Sequence, residues 1–92
     1  MKLIIKLSFE KDIGIIKDKV LKQALIEKID QMDRAKNVCN ITGVKLLRGY
    51  QTHYRIKVES ENLKYRIGAI IRNDIIWLVR FLPRKKVYTI FP

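Results

Sequence analysis

The chain has 92 residues, 48% of them apolar and 32% charged, which fits one domain over residues 1–92 and excludes both a second core and a disordered, apolar-poor segment. The formal net charge of +11 is unevenly spread: nine Lys/Arg stand against six Asp/Glu in residues 1–41, and eleven against three in residues 42–92. A field of that sign attracts polyanions, nucleic acid first and an anionic membrane surface second. Residues 2–7 alternate Lys2, Ile4, Lys6 with Leu3, Ile5, Leu7, the period of a first strand. Ser8 offers a helix N-cap, with Glu10 and Asp12 in the turn that follows. Phe9, Ile13, Ile16 and Val20 form one apolar stripe at helical spacing, and Leu21, Leu25, Ile29 and Met32 a second. The spacing predicts two helices, or one broken near Asp18, within residues 9–36, with Lys36-Asn37 as the stop.

From Thr42 the period becomes strand-like. Residues 43–49 form a short extended lead-in bracketed by Gly43 and Gly49. Tyr54, Ile56 and Val58 then alternate with His53, Arg55, Lys57 and Glu59, and Tyr65, Ile67, Ala69 and Ile71 alternate with Lys64, Arg66, Gly68 and Ile70. Ser60-Glu61-Asn62 reads as the hairpin turn between them, and Arg72-Asn73-Asp74 as the next turn. Residues 75–82 are apolar on both faces apart from Arg80, as a central strand requires. Pro83 ends that strand, and residues 87–91 are expected to be a short extended piece.

The order is that of an α+β fold: an N-terminal strand, two helices, then a three- to four-stranded antiparallel sheet with the helices packed on one face. Ile56, Val58, Ile67, Trp77 and Val79 are expected in the core, and Trp77 and Phe81 are read as core and not as base-stacking platforms. The opposite face would display Arg55 and Lys57 beside Arg66, because residues of like parity on paired strands point the same way. No apolar run approaches the ~18 residues of a membrane span. The N-terminus has no signal-peptide pattern, so a cytoplasmic location is expected. Cys39 is the single cysteine, and neither a metal site nor a cofactor is expected.

Four segments in order, Val44–Gly49, Tyr54–Val58, Tyr65–Gly68 and Arg84–Tyr88 with Phe91-Pro92 behind, resemble toxins of the RelE/ParE superfamily in content and spacing. The resemblance covers nearly the whole chain and implies the toxin of a type II toxin–antitoxin module. Its RelE-like branch implies an mRNA interferase that acts on the ribosome, through attack of a ribose 2′-hydroxyl on the neighbouring phosphate. It places the chemistry on Arg55, Lys57, Arg66, Arg84 and Tyr88: the arginines for the phosphate and its developing charge, Lys57 as base, Tyr88 to stack on or orient a nucleobase. Lys45, Arg48, Lys64, Arg80, Lys85 and Lys86 are candidate RNA contacts. Partners implied are the ribosome with its mRNA, and a cognate antitoxin that lays an apolar, acidic segment over the basic face in a hetero-oligomer. The sequence departs from the common pattern at Pro83, where many relatives have His, and at Thr89, where Arg is frequent. His53, the single histidine, is read as a surface residue. Two other functions fit the same resemblance: a ParE-like protein that inhibits DNA gyrase without nuclease chemistry, and a decayed member that only binds RNA.

Overall fold

The computed structural model describes residues 1–92. Strand β1 (Lys2–Ile5) leads into helix α1 (Leu7–Gly14) and helix α2 (Lys19–Arg34), followed by a single 3-10 turn at Val38–Asn40. Four strands follow, β2 (Val44–Leu46), β3 (His53–Glu59), β4 (Lys64–Arg72) and β5 (Ile75–Pro83), and helix α3 (Arg84–Ile90) closes the chain. The sheet is five-stranded, in the order β1-β5-β4-β3-β2.

The helical break falls where the sequence places it. Asp18 is the N-cap of α2, its carboxylate accepting the Leu21 amide at 2.8 Å. The α1 start differs: Lys6 occupies the cap position without a side-chain bond, and Ser8 Oγ instead donates to the Val79 carbonyl. Leu21, Leu25 and Met32 are buried as their stripe predicts, with Ile29 packed partly against them, whereas Val20 is exposed because it lies at the turn into α2. Between β4 and β5 the two-residue turn holds Asn73 and Asp74 at φ 52° and 64°, the left-handed geometry that these residue types tolerate.

Three features of the sheet depart from expectation. It is mixed, since β1 runs parallel to β5 with Leu3 opposite Ile76. The lead-in at residues 43–49 contributes a paired edge strand, β2, antiparallel to β3. Residues 84–90 are helical, not extended, because Val87 and Phe91, four apart, dock as one stripe against Leu47 and Leu82. Helix α3 therefore covers the face of the sheet opposite α1 and α2. The main core of Phe9, Leu21, Met32, Ile56, Ile67, Ile76, Leu78 and Phe81 lies under the two longer helices. Trp77 and Val79 are only half-buried, Val79 packing against the smaller cluster and Trp77 lying under the Arg72 guanidinium at 5.4 Å.

The parity of β5 changes along its length. A register shift between Gly68 and Ala69 leaves Val79 without a partner on β4, so Ile76 and Leu78 face the main core, as does Phe81, while Leu82 faces α3. Helix α1 locks this irregularity: Asp12 accepts from Arg80 Nε (2.8 Å), Arg80 Nη2 (3.1 Å) and the Phe81 amide (2.8 Å). Asp12 is the one buried charged residue of the chain. Replacing it with Asn should lower the free energy of unfolding in urea by ~3 kcal/mol, because a guanidinium and a peptide N–H would lose their anionic acceptor. A loss below ~1 kcal/mol, the range of exposed ion pairs, would show that the bulge holds without it.

Candidate active site

Strand pairing brings the sequence-predicted cations together. Lys57 lies directly opposite Arg66 across β3 and β4, and Lys45 lies opposite Arg55 across β2 and β3. All four share the face that α3 partly covers. Helix α3 adds Arg84 and Tyr88, one turn apart, over the same strands. Lys45, Arg55, Lys57, Arg66, Arg84 and Tyr88 line a cleft of about 330 Å³, together with Gly43 and Val44. Gly43 has φ +73°, and its carbonyl accepts the Lys57 amide at 2.9 Å. A Cβ there would come within 2.9 Å of the Lys57 Cβ, so glycine is what lets the chain pass so near the cleft.

Tyr88 is the centre of the arrangement. The Arg55 guanidinium carbon sits 4.1 Å from the centroid of its ring, and Arg84 Nε donates to its hydroxyl oxygen at 2.9 Å. The Arg84 bond holds the phenol below its ordinary range, helped by the charges of Arg84, Arg55 and Arg66 and opposed by desolvation. The same bond raises the already basic Arg84. Arg55 Nε is buried without a partner, an uncommitted donor beside the cleft.

Glu59 was not among the residues that the sequence singled out. It shares the parity of Arg55 and Lys57, and that alternation was the one available signal, since a lone carboxylate among cations matches no motif. Its Oε2 accepts from Arg66 Nη1 at 2.9 Å, and its Oε1 lies 3.6 Å from Lys57 Nζ. Desolvation pushes its carboxyl up, but the Arg66 bond and the charges of Lys57, Arg66 and Lys64 outweigh it, and the net shift is downward. Arg66 Nη1 also donates to the Tyr65 carbonyl at 2.8 Å, and the Arg66 side chain is only 12% exposed.

The outer cations divide. Lys64 and Lys85 line a hollow beside the cleft with Arg84, and Lys86 and Arg48 are exposed. Arg80 does not join them: the bulge turns it toward α1, where Asp12 takes its guanidinium. His53 also lies outside the cleft, its ring 4.8 Å from that of Tyr50 and 5.8 Å from that of Phe91. No group of His, Cys, Asp and Glu side chains is arranged to hold a metal, and no helix is long and apolar enough to cross a membrane.

A search against protein-family models gives no match. Among individual proteins, Toxin RelE3 of Methanocaldococcus jannaschii is 32% identical over 93 residues, with both chains covered in full. The chain belongs to the RelE toxin family. The fold agrees: the crystal structure of a RelB-RelE antitoxin-toxin complex from Methanococcus jannaschii superposes with a TM-score of 0.73 at 26% identity, over 97% of this chain and 99% of that one. A copper-bound mutant toxin from Helicobacter pylori shares the fold at a TM-score of 0.53 and 15% identity, over 94% of this chain and 97% of that one. The α+β architecture read from this RelE-family sequence is therefore that of its relatives, with four strands after the two helices and β1 joining them in one five-stranded mixed sheet.

The phenol supplies a direct check of the cleft. Subtracting the absorbance titration of Tyr88→Phe from that of the wild type should isolate a tyrosine that ionises below the ordinary value of 10.0. Arg84→Ala should move that ionisation upward, since the cation favours the phenolate. A Tyr88 titration indifferent to Arg84 would mean that the two side chains do not meet in solution.

Proposed function

We propose that this RelE-family toxin is an endoribonuclease that cleaves mRNA on the ribosome by 2′-hydroxyl attack. The observation that carries the reading is the convergence of Lys45, Arg55, Lys57, Arg66 and Arg84 with one perturbed tyrosine in a single cleft. A phosphate drawn there meets Arg66 and Lys57, with Arg55 over the ring of Tyr88 and Arg84 at its hydroxyl. In-line attack forms the bond from the 2′-oxygen to phosphorus and breaks the bond from phosphorus to the 5′-oxygen, leaving a 2′,3′-cyclic phosphate. The extra negative charge of the phosphorane-like transition state falls on the oxygens nearest the guanidinium groups.

Two protons must move. Lys57, opposite Arg66 and with its Nζ 3.6 Å from the Glu59 carboxylate, lies in the cleft as a second phosphate cation. Tyr88 Oη, in the phenolate form that the Arg84 bond favours, takes the proton of the 2′-hydroxyl. Arg84, exposed at the mouth, stabilises the departing 5′-oxygen, which takes its proton from solvent. This division dispenses with the histidine that Pro83 replaces.

The partners follow from the same surface. Lys64, Lys85 and Lys86 extend the positive field beside the cleft toward ribosomal RNA, and Leu46, Tyr50 and Ile90 leave apolar area exposed. A cognate antitoxin whose segment is both acidic and apolar would match that combination, and the RelB-RelE relative is solved as an antitoxin-toxin complex. The working compartment on this reading is the cytoplasm, where ribosomes and mRNA meet.

Mapping mRNA ends after induction tests the chemistry. Arg66→Ala and Arg84→Ala should each lower single-turnover cleavage by about 10²-fold or more while ribosome binding is retained, the scale expected when one preorganised donor is removed. A wild-type protein that arrests growth without cutting mRNA would falsify the nuclease reading and favour a gyrase inhibitor. Binding offers an independent measurement: Arg55→Ala with Lys57→Ala should flatten the salt dependence of RNA affinity by roughly two phosphate contacts. An unaltered slope would move the RNA to another face.

A further inference from the structure

We propose that Glu59 is a positioning residue for the cleft, an anionic brace that fixes the Arg66 guanidinium in the orientation that receives phosphate. The inference rests on the proposed nuclease reading for its functional consequence and on geometry for its substance.

Arg66 and Lys57 are cross-strand neighbours, so two cations of like charge stand side by side in the cleft. Such pairs repel, and an unsupported arginine would swing away into solvent. Glu59 stands on the same face, two residues beyond Lys57, and supplies the opposing charge. Its two oxygens are divided, one to Arg66 Nη1 and the other toward Lys57 Nζ. Arg66 Nη1 is thereby held from two sides, by Glu59 and by the Tyr65 carbonyl. Arg66 Nε and Nη2 keep no protein partner and remain for a ligand.

The position of the carboxylate decides between brace and competitor. Glu59 does not line the cleft, although Lys57 and Arg66 do. It lines the adjoining hollow with Glu27, Lys28 and Lys57. A carboxylate that occupied the phosphate position would have to lie on the cleft side of Arg66. Glu59 approaches from the other side, so substrate can bind without displacing it. Its lowered ionisation keeps it charged throughout the pH range in which ribosomes survive.

The test compares Glu59→Gln, Glu59→Asp, Arg66→Ala and the Glu59→Gln/Arg66→Ala double variant in single-turnover cleavage of ribosome-bound mRNA. Glu59→Gln should reduce the rate at saturating ribosome concentration by between about tenfold and a hundredfold, the scale of a misplaced reacting group, with the half-saturating concentration nearly unchanged. Glu59→Asp, which keeps the charge, should recover most of the rate. In the Arg66→Ala background Glu59→Gln should cost nothing further, because the brace acts only through that arginine. Additive losses, or a lower unfolding midpoint that accounts for the loss, would reduce Glu59 to a structural role. Faster cleavage or tighter RNA binding by Glu59→Gln would make it a competitor of the phosphate and overturn the proposal. Should the wild type cut no mRNA at all, the nuclease reading fails by itself, and the side-chain N–H signals of Arg66 in an NMR spectrum still judge the brace. Restricted rotation of the guanidinium in the wild type that is released in Glu59→Gln upholds it. Identical spectra refute it.

Discussion

The contact of α1 with the bulge in β5 sets the geometry on which the cleft depends. Strand β1 ends at Ile5, opposite Leu78, and beyond that point the backbone of β5 has no strand neighbour on that side. Helix α1 takes over. Ser8 and Asp12, one turn apart, reach the Val79 carbonyl and the Phe81 amide, and Asp12 also fastens Arg80. Removing the extra residue would invert the facing of everything that follows. Phe81 would leave the main core, Leu82 would enter it, and the chain would reach Pro83 with the wrong face toward α3. The cleft lies some distance from Asp12, yet the placement of Arg84 and Tyr88 descends from this one irregularity.

Gly68 is the counterpart of that bulge on β4. It lies opposite Arg80, and a Cβ built on it would approach the Phe91 ring to 2.6 Å. The ring therefore rests on bare backbone, and α3 is drawn down onto the sheet as a short helix. Helix α3 has only seven residues, too few to be stable by its own backbone bonds. Val87 and Phe91 dock it against Leu47 and Leu82, and that docking presents Arg84 and Tyr88 to the cleft from their exposed side. The apolar stripe and the stripe of Arg84 and Tyr88 are the two faces of about two turns of helix.

Electrostatically the cleft is an arrangement of mutually repelling groups, held by two anionic or electron-rich elements. The face of Tyr88 receives Arg55 and its oxygen receives Arg84, while Glu59 receives Arg66 with Lys57 nearby. Tyr88 engages two guanidinium groups and Glu59 one, and Arg55 Nε is left without a protein partner. An empty site with five like charges would otherwise splay, at a cost to be met again each time substrate bound. The Asp12–Arg80 pair shows the contrast: there Arg80 Nε and Nη2 and a backbone amide all donate to one carboxylate outside the cleft, and the arginine is structural.

The order of local elements and the cationic face of the hairpin were legible in the sequence, because both depend on short-range periodicity. The period of two over residues 53–59 and 64–71 places Arg55, Lys57 and Arg66 on one face, whatever packs around them, and Asn73-Asp74 fixes the turn that aligns β4 with β5. Asp18 likewise marks a helix start by its own capping bond. Tertiary structure decided the rest. Residues 84–90 include three β-branched residues, Val87, Thr89 and Ile90, and the aromatic Tyr88, which suit a strand, and only the pocket between Leu47 and Leu82 makes the helix preferable. Arg80 reads as one more cation in an apolar strand until the bulge turns it to Asp12, 68 residues away. Glu59 reads as an ordinary surface carboxylate until β4 brings Arg66 beside it. Sequence alone fixes what a residue's near neighbours dictate, but a bulge, a docked terminal helix and a shared carboxylate are contacts between distant segments, and their energies exist only once the sheet has formed.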